Sequence, residues 1–150
     1  MLKERSKFIL KITIIHIITY IACGIIFMTL FDYQSTLSQA GMRDTNNLIV
    51  GLAPVFQILR GVLFAIVLWL FRNSFIHSKY GWLIIWMMIV IVGIFNTPTT
   101  APGSIEYFIY YEPVREPWNL QIGGMIEILT QTFLFSVISF KSVCASTKGA

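Results

Sequence analysis

The chain reads as long apolar runs separated by short polar punctuation. Four runs stand out, at about 8–31, 48–71, 81–95 and 118–140. Backbone groups in runs this apolar must satisfy one another internally, and only helices do that within a single segment. Stretches of about 20 apolar residues match the thickness of a bilayer. The pattern therefore predicts an all-α integral membrane protein: one domain, a four-transmembrane-helix bundle. The third run is the shortest and stops at "NTPTTAPGS", where Pro98 and Pro102 end a regular helix.

The polar segments differ in kind. "DYQSTLSQAGMRDTNN" reads as a solvated connector, whereas "NTPTTAPGSIEYFIYYEPVREP" crowds tyrosines and a phenylalanine between acids. Within it Ser104 is placed to cap a short helix that carries Ile105, Phe108 and Ile109 on one face and ends at Pro113. The loop 96–117 is thus expected to be a structured outer segment, lying in the interface or folded over the bundle mouth.

Composition sharpens the membrane reading. The chain is 56% hydrophobic and 12% charged, with a mean hydropathy of +0.74; soluble chains carry about twice that charge. The pI of 9.2 would suit nucleic acid only if the basic residues formed one patch. They sort by loop instead. Lys3, Arg5, Lys7, Lys11, Arg72, Lys79, Lys141 and Lys148 fall on one side with Glu4; Arg43 and Arg115 fall on the other with Asp32, Asp44, Glu106, Glu112 and Glu116. By the positive-inside rule both termini are cytoplasmic, which fits a bacterial cytoplasmic membrane with the N- and C-termini inside. Trp69, Tyr80 and Trp82 fall near the inner interface, Tyr33 and Trp118 near the outer one. The basic, apolar start resembles a signal peptide, but its apolar run continues to Phe31 and is read as an uncleaved span. Cys23 and Cys144 lie at different depths and form no redox or zinc spacing, so neither a disulfide nor a metal is expected.

Charges inside the runs are the candidate chemistry. Counted from Leu48, Arg60 lies roughly 18 Å deep; counted from Trp118, Glu127 lies about 13–14 Å deep. Each costs about 2.5–3.5 kcal/mol at the bilayer centre, and partnership is the usual remedy. An Arg60–Glu127 ion pair is the economical expectation. Gln57 and Gln131 share their helix faces and offer the remaining hydrogen bonds, since burial alone does not make an ion pair favourable. The core of Gln57, Arg60, Glu127 and Gln131 is read as structural glue, with a solute, ion or proton site as the alternative. His16 is read as a neutral histidine bonded to a carbonyl or a threonine, with proton relay as its alternative. Lys11 should snorkel to the inner interface, and Met87 and Met88 read as packing rather than a copper site.

Glu106, Tyr107, Tyr110, Tyr111 and Glu112 form a candidate outer interaction surface, against the plainer reading of topology and headgroup anchoring. No metalloprotease, phosphate-loop, serine-hydrolase or Cys/His motif is present, so no catalytic residue or cofactor is assigned. The expected partners are the lipid bilayer and a membrane protein or a second copy of the chain, not nucleic acid. Three functions are weighed. First comes a non-catalytic interaction or accessory protein working through its outer loop, because Arg60 and Glu127 would neutralise each other. An oligomeric transporter or binder of a small solute or ion is the alternative. An enzyme using Glu127 or His16 as acid or base on a lipid substrate comes last.

Overall fold

The computed structural model describes residues 2–33, 43, 47–98, 103–110 and 118–148. Every regular element among them is helical. Three helices are long and apolar enough to cross a membrane: Leu2–Leu30, Ala53–Leu70 and Gln121–Ala145. A further apolar helix, Gly81–Phe95, spans at most roughly 22 Å at 1.5 Å per residue, short of a hydrocarbon core of about 30 Å.

Helix α1 is Leu2–Leu30. It ends where Asp32 adopts φ 48°, a left-handed turn that a short polar side chain tolerates. The run expected at 48–71 is two helices, α2 (Leu48–Gly51) and α3 (Ala53–Leu70). Pro54, in the first turn of α3, has no N–H for the Val50 carbonyl, so the ladder breaks at Leu52. The short α4 (Arg72–Ile76) leads into α5 (Gly81–Met88), which continues as a π-helix over Ile89–Phe95. The wider turn shows in the bond from Asn96 N–H to the Ile91 carbonyl, 2.9 Å. Next comes α6 (Ile105–Tyr110), which Ser104 caps as expected: its Oγ accepts from the Tyr107 N–H at 3.0 Å. Ser104 and Tyr107 are buried, while Ile105 and Ile109 are exposed. The last helix, α7 (Trp118–Lys148), outruns its expected end by two turns.

Packing follows a row rather than a closed ring. Helix α1 packs against both α3 and α7, and α7 also packs against α5. No packed interface joins α3 to Gly81–Phe95. Toward the linking segment Ile12, Ala65, Leu68, Phe75, Ile85, Ile89, Phe135 and Val143 form one core. From that closed end the two helices diverge. Much of the apolar surface, including Ile18, Ile25, Leu59, Leu63 and Val92, faces outward, as a lipid-facing surface requires.

Two glycines allow the tight contacts. A Cβ on Gly81 would run into the Phe75 carbonyl and the Phe140 ring, and one on Gly61 would sit 3.1 Å from Thr13. Gly81→Ala is therefore expected to destabilise the chain by about 1–3 kcal/mol. Gly51→Ala, with nothing near its Cβ, should be neutral or stabilise by up to about 1 kcal/mol. Unfolding in detergent followed by circular dichroism checks both.

Candidate functional site

The divergence of α3 from the Gly81–Phe95 helix leaves a cleft of about 880 Å³, within the range of about 300–1,000 Å³ typical of small-molecule sites. Helices α1 and α7 form its floor. Its inner stretch is apolar, with Phe64, Val67, Phe71, Met88 and Phe135; its polar groups are His16, Tyr20, Arg60, Thr97, Glu127, Gln131 and Thr132. The π-helical turn supplies Ile89, Val92, Gly93 and Ile94 along one wall, and such turns recur at functional sites.

The helix register decides where each polar residue stands. Helix α1 runs antiparallel to α3: Phe8 stacks edge-on against Trp69 at 5.2 Å, Thr13 meets Gly61, and His16 meets Gln57. It also runs antiparallel to α7, with Lys11 Nζ donating to the Ser142 carbonyl at 3.3 Å, His16 beside Phe135, and Gly24 beside a Glu127 carboxylate oxygen. Lys11 thus satisfies a carbonyl near the end of α7.

Expectation and structure part over Arg60 and Glu127. Both line the cleft, but no ion pair joins them. Arg60 lies three residues from Gln57 toward the closed end, and Glu127 lies eight residues from Phe135 the other way. The two backbones are therefore offset by roughly 16 Å along the bundle at 1.5 Å per residue. The depth count failed because α7, roughly 46 Å long, exceeds a hydrocarbon core of about 30 Å. Trp118 and Leu48 therefore do not mark the same depth. Glu127 instead faces α1 beside Gly24 and Tyr33. Burial first, and then the Glu127 carboxylate, push the Tyr33 phenol above its ordinary value.

The buried polar contact between α1 and α3 is a different pair. His16 Nε2–H donates to Gln57 Oε1 at 3.2 Å, with His16 3% and Gln57 9% exposed. This makes Nε2 the donor and gives His16 a glutamine partner rather than the expected carbonyl or threonine. Thr19 bonds back to the Ile15 and His16 carbonyls instead. Phe64 and Phe135 pack edge-on to the imidazole at 5.1 and 5.6 Å, so the ring is held on three sides. Arg60 keeps only a distant cation–π contact, 6.0 Å from the Phe64 centroid. It is exposed to the cleft, and no described carboxylate pairs with it. Gln131 is half-buried on the α7 wall.

Tyr107 is buried, whereas Tyr110 is 75% exposed. Tyr111, Glu112 and the Glu106 side chain lie outside the described residues. Sequence reasoning missed Tyr20, Thr97 and Thr132 as cleft residues. Thr132 Oγ1 also accepts from Trp86 Nε1 at 3.2 Å, tying α5 to α7. Among the described residues no cluster of His, Cys, Asp and Glu could hold a metal.

Removing one partner of the His16–Gln57 bond strands the other in an apolar site. His16→Phe and Gln57→Leu should each destabilise by about 1–3 kcal/mol, and the double variant by clearly less than their sum. The same cycle on Arg60→Gln and Glu127→Gln should be additive within about 0.5 kcal/mol, as for groups without a shared contact. Detergent unfolding curves of the two cycles provide the comparison. No family model, curated protein or solved structure matches this chain, so function is argued from the site alone.

Proposed function

We propose that the chain is a single four-span membrane domain with both termini in the cytoplasm, and that it is a non-catalytic binder or carrier of an anionic ligand. The ligand's acidic group would occupy the cleft at Arg60. One observation carries this reading: an arginine midway along a span faces a cleft and has no carboxylate partner among the described residues. The cost of a lone guanidinium at that depth, about 2.5–3.5 kcal/mol, is offset when an anion binds. The accessory role rested on Arg60 and Glu127 neutralising each other, and the helix offset removes that premise. Gln131, Thr132 and Tyr20 supply neutral donors and acceptors around the anion.

The Gly81–Phe95 helix counts as the third span because the loops on either side of it carry opposite charge balances. Its shortness is tolerable if α6 completes the path to the outer interface, since Gly103, at φ 89°, abuts Met125 of α7. The interaction reading keeps one supporting observation, the exposed Ile105, Ile109 and Tyr110 on α6. Anchoring in a bilayer interface accounts for the same residues.

Two measurements test the proposal. In a chain with Cys23 and Cys144 replaced by serine, a membrane-impermeant maleimide should label Tyr110→Cys in intact cells. Arg5→Cys and Lys141→Cys should label only after permeabilisation; the reverse pattern would overturn the topology. In detergent, a panel of inorganic, carboxylic and phosphate anions should include members that raise the melting temperature of the wild type and not of Arg60→Gln, as ligand linkage requires. Equal shifts in the two chains for every anion would overturn the binding reading.

A further inference from the structure

The cleft is open sideways. Its two lips, α3 and Gly81–Phe95, do not pack together, and both flanking helices present apolar side chains to the surroundings: Leu59, Leu63 and Val67 on one, Val92 on the other. Space beside Gly93 and Gly124 is open, with nothing near the Cβ either would carry. In a bilayer such a slot faces acyl chains directly. Water-soluble ligands need a polar route, and the polar groups here occupy only part of the lining; from Phe64 to Phe71 the wall is hydrocarbon and aromatic.

Resting on the reading of Arg60 as the anion-binding residue, we propose that the ligand is a membrane amphiphile. It has a compact anionic oxyacid head and an apolar tail, and it enters laterally between α3 and the Gly81–Phe95 helix. The head meets the Arg60 guanidinium, a five-donor fork that suits phosphate and carboxylate alike. The tail lies along Leu63, Val67, Phe71, Met88 and Ile89. That division matches the lining: among the described residues its one arginine stands next to the apolar stretch, with Arg60 and Phe64 one helical turn apart on α3. A free inorganic anion would use the guanidinium and leave the apolar stretch unfilled. The π-helical stretch supplies Val92 and Gly93 to that lip.

The test compares hexadecyl phosphate, butyl phosphate, inorganic phosphate and hexadecanol as probes, using thermal shift of the full chain in a nonionic detergent at matched mole fractions. Wild type, Arg60→Gln, Val92→Trp and Val67→Trp are compared. Hexadecyl phosphate should bind the wild type at least about tenfold tighter than butyl phosphate, the gain from burying as few as two further methylenes. Arg60→Gln should lose the preference for hexadecyl phosphate over hexadecanol. The two tryptophan variants, which fill the slot, should weaken hexadecyl phosphate and leave inorganic phosphate unchanged. The pair guards against one of them failing to fold. If inorganic and hexadecyl phosphate bind the wild type equally, the amphiphile is ruled out while the anion site survives. If hexadecyl phosphate binds Arg60→Gln as well as the wild type, the anion site itself falls, and the amphiphile proposal with it.

Discussion

The hydrogen bond from His16 to Gln57 sets how α1 lies against α3, and the arrangement of the remaining polar groups follows from that register. Three residues beyond Gln57, Arg60 is carried toward the packed end of the bundle. On the opposite side of α1, Gly24 receives Glu127, far toward the other end. Helices are rigid rulers at 1.5 Å per residue, so two contacts on a shared helix settle the relative height of groups on its two neighbours. A carboxylate and a guanidinium that look matched along the sequence are thereby held at different depths. Each meets something else: Glu127 a glycine and a tyrosine, Arg60 an aromatic ring and a cleft.

Helical class, the four apolar runs and the serine cap at Ser104 were legible, because periodicity, hydrophobic length and local side-chain-to-backbone bonding are properties of short segments. Three helices reach a spanning length and the fourth run falls short, a difference that length alone already hinted at. Depth was not legible. It was counted from the two ends of runs whose helices turn out to be unequal: the run 48–71 is divided at Leu52, ahead of Pro54, while α7 continues unbroken to Lys148. The candidate site was half legible for the same reason. Gln57, Arg60, Glu127, Gln131 and His16 were all singled out; four of them line the cleft, and the fifth, Gln57, is bonded to His16. Their pairing was wrong because pairing depends on register between helices, which no single segment encodes. A usable signal existed in two antiparallel neighbouring spans each holding one strongly polar uncharged group, His16 and Gln57.

The packing order explains why a chain this small holds a cleft at all. In a closed four-helix bundle every helix touches two neighbours and the interior fills with side chains. Here α1 and α7 each serve as inner helices, while α3 and Gly81–Phe95 are outer ones joined through the short α4. Aromatic and aliphatic packing around Phe75, Gly81 and Phe140 clamps that link; beyond it nothing draws the outer helices together. An arginine on the inner wall of such a V is incompatible with closing it dry, since desolvating an unpaired guanidinium outweighs the dispersion gained. Arg60, which lines that cleft, is the residue proposed to hold an anion within it.

The most direct test of the account is the spacing of these groups in the unmodified chain in lipid bilayers. Solid-state dipolar recoupling between ¹⁵N-labelled arginine and histidine side chains and the ¹³C side-chain carbons of glutamate and glutamine reads it without a mutation. The account predicts a His16 Nε2 to Gln57 Cδ coupling corresponding to about 4 Å and no such coupling between the Arg60 guanidinium and Glu127 Cδ. A clear Arg60–Glu127 coupling at about 4 Å would mean an ion pair, and would contradict the register, the unpaired arginine and the binding site built on it.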